Sequence, residues 1–374
     1  MTRVPVVGVM ICLMVGIIGC RSNEAVSQTS PTQTLPSPSE SILLEPIIEI
    51  DESSGGPLLG TIGDQAFGAD GQIYVSDYQS AQVHEYKADG HFVRSLGRQG
   101  DGPGEFQIAS MLLTRGDTLY VQDNRFNRLS VFEQKTGEFI RSQGLMFDEL
   151  RPYQMIGVTD AAVVLTYSRP APFGDAPADV ADDDVRLVPL ISGKIDSAPT
   201  IWRTPGITWK PIEVNGMKML RNMPLSPASS CVFDADRGWC GYSTSLTFNS
   251  FSMNGDSLMT VKVEAEPKPV TEADREKILS RITNPALREQ MILPDVHPAF
   301  AGKLLVDGSS RLWVRRGATE DGRTEYWIID PEKGATKSVI LADGVLLNAI
   351  SGDRVVGRVS AADGQQSVRV YAVP

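Results

Sequence analysis

Histidine is scarce in this chain of 374 residues, with three copies, and cysteine has four. The histidines are His84, His91 and His297; no HExxH pair and no GxSxG elbow occurs. A zinc site or a nucleophile–base pair written into a short motif is thereby excluded, and only sites assembled from residues far apart in sequence are left. Basic residues are in deficit too: 35 Lys and Arg against 46 Asp and Glu give a net charge of −11. With no basic cluster, such a body is repelled by nucleic acid, and no nucleic-acid partner is expected. The N-terminal apolar run, Val4 to Ile18, falls short of the ~20 residues that span a bilayer.

That run, preceded by Arg3, has the length of the apolar region of a secretory signal. It ends in Ile17-Ile18-Gly19-Cys20, which resembles a bacterial lipobox. The resemblance implies a signal peptide over 1–19, lipid on Cys20 and attachment to a membrane through it. Arg21 and Ser22, where an aspartate favours inner-membrane retention, point to the outer membrane, on its periplasmic face or the cell surface. Residues 20–40 are rich in Ser, Thr, Pro and Gln, the composition of a disordered tether. Loss of Arg3 with the signal takes the charge from −11 to −12.

With Cys12 in the signal and Cys20 lipidated, Cys231 and Cys240 remain, in CVFDADRGWC. A hairpin turning at Asp234 to Gly238 pairs 231 with 240, 232 with 239 and 233 with 238. Either a disulfide, permitted by export, or two buried thiols satisfies this register. No other Cys or His lies near enough in sequence to complete a metal shell, and no metal or other cofactor is assigned.

The chain repeats itself. Ile73-Tyr74-Val75-Ser76-Asp77 recurs as Leu119-Tyr120-Val121-Gln122-Asp123, 46 residues later. Gly90-His91-Phe92-Val93-Arg94-Ser95 recurs as Gly137-Glu138-Phe139-Ile140-Arg141-Ser142. Short β-rich runs at such a period describe an antiparallel sheet used again and again, a propeller blade. Diverged copies appear around Val163–Leu165, Val232–Met253, Leu305–Asp330 and Leu346–Tyr371, six in all. The last copy is one strand short, and Ile42 to Ile50 is a strand with no blade of its own, so the N-terminal strand is expected to close the ring. Pro46 can sit only on an edge or at a bulge, which suits an outermost strand.

Between the first two copies lies Gly97–Phe106, GRQGDGPGEF. Its glycines are not in GxGxxG spacing, Pro103 removes a donor, and strand-like sequence follows, which argues against a phosphate cradle. The order of glycine, aromatic-Val, aspartate, strand and LGRQGDGPGEF resembles six-bladed β-propeller lipoproteins of bacteria, relatives of NHL-repeat proteins. His297-Pro298-Ala299-Phe300 with Leu312-Trp313-Val314 adds to it. The resemblance is strong over 60–145 and 265–330 and implies an all-β six-bladed β-propeller over 41–374. Gly97 to Phe106 is then the joint between two blades, with Gly102 and Gly104 expected at positive φ.

Two insertions interrupt the repeat. Ser168 to Asp184, ending in Asp182-Asp183-Asp184, reads as a solvated loop. Residues 271–292 read as a short helical insertion across one face, capped by Thr271 and kinked near Pro285.

Six-bladed propellers include metal-dependent hydrolases and lyases, which keeps an enzyme with a site assembled on one face as the alternative. Asp77 and Asp123 recur at equivalent places, which fits turn bonding better than catalysis. The expected role is a membrane-anchored binding or scaffold module, a monomer, for a protein or small-molecule ligand. Trp202, Trp209 and Arg221 are candidate partner contacts, although core packing accounts for the tryptophans equally well.

Overall fold

The computed structural model describes residues 30–374 apart from 148–149, 169–181, 192–194, 196, 215 and 362–363; the signal segment and Cys20 lie outside the described residues. Six sheets follow one another along the chain, each built on an antiparallel meander of three or four consecutive strands. Blade 1 holds strands Ile62–Phe67, Ile73–Asp77, Gln82–Tyr86 and Phe92–Leu96, counted from the ring axis outward. The innermost strands of blades 2 to 6 are Ala109–Arg115, Arg151–Val158, Ser229–Asp234, Leu305–Val306 and Val345–Ser351. The chain is thus a six-bladed β-propeller, all-β but for two short helices.

Inner strands read as apolar runs because both of their faces are covered. A separate core cluster fills each junction between neighbouring blades, from Tyr74 with Leu112 between blades 1 and 2 to Val356 with Ile73 between blades 6 and 1. Blade faces are therefore internal, and only strand ends and outer edges meet water.

The recurring aspartates are structural. Asp77 accepts the Thr61 and Gln79 amides at 3.0 and 2.9 Å, and Asp123 accepts those of Gln107 and Arg125 at 2.9 and 2.8 Å. Each ties the turn after its strand to the joint entering its own blade.

Pro46–Ile50 pairs antiparallel with Gln366–Ala372, the last strand of blade 6, in the register Ile50↔Val368 and Ile48↔Val370. The N-terminal strand therefore closes the last blade from its outer edge, with Pro46 beside a register shift. The stretch from Ile42 to Ile50 is not one strand, however. Ser41–Leu43 extends the outer edge of blade 5 by parallel pairing with Ala335–Leu341. The tether expected over 20–40 needs a correction as well: Thr32–Leu35 pairs parallel with Ser257–Val263 at the edge of blade 4, burying Leu35. Free backbone groups on an outer edge recruit even a polar segment.

Three other expectations change. Asp182–Pro189 is a strand of blade 3, so the three acids are not in a loop. Asp183 and Asp184 are buried, and Arg186 and Arg203 pair with Asp184 at 2.6 and 3.1 Å. The helical insertion is present, but Pro285 starts a second helix instead of kinking one: α1 is Glu272–Ser280 and α2 is Pro285–Arg288, capped by Asn284. In the joint, Gly97 and Gly104 have φ of 73° and 71°, whereas Gly102 is not at positive φ. Gly102 instead donates its amide to Glu105 at 2.8 Å, and Phe106 is fully buried between blades 1 and 2.

A Cβ on Gly97 lies 2.3 Å from the Phe106 ring, whereas one on Gly102 meets only the flexible end of Glu105, at 3.0 Å. Gly97→Ala is expected to cost about 1–3 kcal/mol and Gly102→Ala about 0.5 kcal/mol or less, measured by urea unfolding. Equal losses would contradict the joint geometry.

Candidate functional site

The loops that join blades, and the turns between second and third strands, lie on one face of the ring, called the joint face below. Both insertions before blade 5 gather there. A hairpin, Trp209–Val214 with Met217–Asn222, stands between blades 3 and 4. The α1–α2 segment stands between blades 4 and 5 on a stem in which Pro269 bridges Val296 and the His297 amide reaches the Lys268 carbonyl at 2.8 Å. Hairpin and segment share a small core of Ile212, Val214 and Met223 against Ala286, Leu287 and Met291, and Gln290 bonds the Glu213 backbone. α1 itself buries no residue; its cap, Thr271 with Asp274, fixes where it starts.

Beneath this insertion is a cleft of about 670 Å³ bounded by Ser230 of blade 4, Gly302 and Arg316 of blade 5, Leu346 of blade 6 and Arg281 of α1. Arg315 and Lys268 also line it. In it, His297 Nε2 lies 3.2 Å from Asp274 Oδ2. Hydrogen bonds from Thr271, then the neighbouring His297, hold the Asp274 carboxyl down at about 2. Two of the serines around the cleft are otherwise engaged: Ser230 Oγ accepts the Leu304 amide at 2.9 Å and Ser243 Oγ the Ala228 amide at 2.9 Å.

Arg316 occupies a β-bulge, where pairing with the third strand of blade 5 skips from Arg315 to Gly317. Its guanidinium lies 4.4 Å from the Trp327 ring centroid and donates to the Ala299 carbonyl, while its buried Nε has no partner. Burial pushes the Arg316 pKa down, partly offset by Glu325.

At the axis, Lys303 Nζ reaches both oxygens of Asp64 at 3.2 Å, and Asp64 also accepts the Leu112 amide at 3.1 Å. One ion pair thus ties blades 1, 2 and 5 together. On the far face the channel opens as a cavity of about 310 Å³, to which every blade contributes.

The candidate partner residues do not converge. Trp202, in the outer strand of blade 3, stacks on Phe251 of blade 4 at 4.8 Å and 8°. Trp209 and Arg221 stand on the hairpin, where Arg221 pairs with Lys210 and is exposed. Cys231 and Cys240 are joined as a disulfide inside blade 4, in the register 231↔240, 232↔239 and 233↔238. Among the described residues no three His, Cys, Asp or Glu side chains converge as a metal site, and no helix is long and apolar enough to cross a membrane.

A family model described as a 6-bladed beta-propeller matches residues 58–155. The chain is similar in structure to an exported protein from Bacteroides fragilis, at TM-score 0.51 and 12% identity over 91% of this chain and 98% of that one. It is also similar to the calcium-binding protein regucalcin from Agrobacterium tumefaciens, at TM-score 0.44 and 11% identity over 90% and 98% of the two chains. A third is virginiamycin B lyase from Staphylococcus aureus, at TM-score 0.44 and 10% identity over 88% and 99%. No curated protein matches the sequence. The family model and the likeness to the Bacteroides fragilis protein carry the six-bladed fold and no more.

Asp183 gives a pH test of the blade that frames this face. Burial, then the neighbouring Asp184 and Asp182, push its pKa up from 3.8 to about 7. Folding therefore favours the neutral acid: this contribution is fully present below about pH 4 and is lost as pH rises through about 7. Asp183→Asn is expected to gain about 1–2 kcal/mol over wild type at pH 8 and little at pH 4, by urea unfolding. An equal effect at both values would contradict the assignment.

Proposed function

We propose that the protein is a membrane-anchored extracytoplasmic binding or scaffold module that receives its partner on the joint face. The observation that carries this is the concentration of features there. The cleft and both insertions share that face with Tyr78, Phe126, Met146 and Tyr153, apolar side chains that are 37–50% exposed. A rigid ring that presents adaptable loops and exposed aromatics is built for recognition. The lipobox-like segment supplies the anchor, and an oxidising compartment keeps Cys231 and Cys240 bridged.

The alternative, a metal-dependent hydrolase or lyase, finds its best support in the pair His297–Asp274. That pair has an orienting carboxylate, but no hydroxyl is hydrogen-bonded to the imidazole among the described residues, and a base without a nucleophile or activated water falls short of a catalytic set. Binding is the better reading.

A photo-crosslinking residue at Tyr153, on the joint face, is expected to trap a partner in intact cells. One at Asp353, in a turn on the opposite face, is expected to trap none. Cys20→Ala is expected to release the protein from the membrane fraction. Equal crosslinking from both faces would overturn the choice of face, and a Cys20→Ala protein still processed and retained by detergent would overturn the anchor.

A further inference from the structure

We propose that the cleft under the helical insertion takes a small ligand bearing two or more negative charges, carboxylate or phosphate, with Arg316 at its centre. The inference rests on the binding reading above and names the chemistry of the ligand.

Charge pairing is the first observation. Acids outnumber bases by 46 to 35; some cations elsewhere on the ring reach only backbone carbonyls, as Arg128 and Arg358 do, but others find a carboxylate, as Arg94 does with Glu85 at 2.7 Å, Arg311 with Asp307 at 2.7 Å and Arg369 with Glu49 at 2.9 Å. The four cations of the cleft do not. Among the described residues, Lys268, Arg281, Arg315 and Arg316 make no ion pair, and Lys268, Arg315 and Arg316 reach only backbone carbonyls, those of Ala318, Ala301 and Ala299. The acids in the cleft do not neutralise them: Asp274 is spent on Thr271 and His297, and Asp343 is exposed at the rim. Glu325, the acid nearest Arg316, accepts from Trp327 Nε1 at 2.7 Å and Ser338 Oγ at 2.8 Å.

Arg316 itself is the second observation. A half-buried guanidinium that lies on an aromatic face, reaches one backbone carbonyl and makes no ion pair among the described residues keeps donors free for an anion. The bulge aims it into the cleft instead of leaving it in the blade ladder. Arginine forks match carboxylate and phosphate oxygens in pairs, and a cleft of about 670 Å³ has the size of a small-ligand site.

The test uses the detergent-solubilised full chain at low ionic strength, titrated calorimetrically with tricarballylate, pyrophosphate and, as a neutral control, sucrose. One anion or both should bind saturably and one-to-one, and sucrose should not. Preference between the two anions identifies carboxylate or phosphate as the natural group. Arg281→Gln, at an exposed helix end, and Arg316→Gln should each weaken binding about tenfold with the melting temperature of Arg281→Gln unchanged, and added salt should weaken it further. Absence of saturable anion binding, or binding unaltered in both variants, would overturn the proposal. If anions fail to bind while crosslinking from Tyr153 persists, the binding module stands and only the anion falls.

Discussion

A ring of sheets has to close, and closure of this one falls to five residues from the other end of the chain. Blade 6 brings only three strands of its own, and Pro46–Ile50 supplies the fourth. The strand does more than cover an edge. Ile50, fully buried, joins Ile62, Val75 and Val368 in the core between the last blade and the first. Side chains of blade 6 meet both backbone groups of Ile62: the amide donates to Gln366 Oε1 at 2.7 Å, and Arg358 donates to the carbonyl at 2.8 Å. Asn348 donates to Gln65 at 2.6 Å alongside. Outer strands that would fray in an open array are thus held at the seam.

Everything on the joint face inherits its geometry from that closure. The cleft draws its walls from blades 4, 5 and 6, the three blades whose outer edges the N-terminal segment visits in turn. Lys303 reaches across the axis to Asp64, so blade 5 is referenced to blades 1 and 2 as well as to its neighbours. The insertion is fastened differently. It leans on the hairpin through a small core and on its own stem, while α1 stays on the surface over the cleft. A rigid floor under a lightly fastened cover suits a site that admits a ligand from one side.

Much of the fold was legible because its causes are local. The 46-residue echo of Ile73–Asp77 in Leu119–Asp123 gives the blade, and an apolar stretch with no blade of its own gives the clasp. Thr32–Leu35 was not legible, since what makes it a strand is the vacant edge of blade 4 and not its own composition. Asp182–Asp184 looked solvated because the strand neighbours that bury the acids, with Arg203 among them, lie on the next strand, 19 residues further along the chain from Asp184. The site was less legible still. Arg315-Arg316 reads as two ordinary strand residues, and only the three-dimensional arrangement shows that, among the described residues, neither makes an ion pair. His297 is visible as one of three histidines; its partner Asp274 lies 23 residues away on a helix. Trp202, conspicuous in the sequence, packs against Phe251 between two blades.

Hydrogen exchange followed by mass spectrometry tests the closure most directly. If the N-terminal strand completes the ring, amides of Ile48 and Ile50 and of their partners Val368 and Val370 are protected as strongly as those of the inner strands, and all are released together in one global opening. Rapid exchange confined to 46–50 and 366–372, with the other blades still protected, would show a ring that holds its shape without this clasp and would contradict the account.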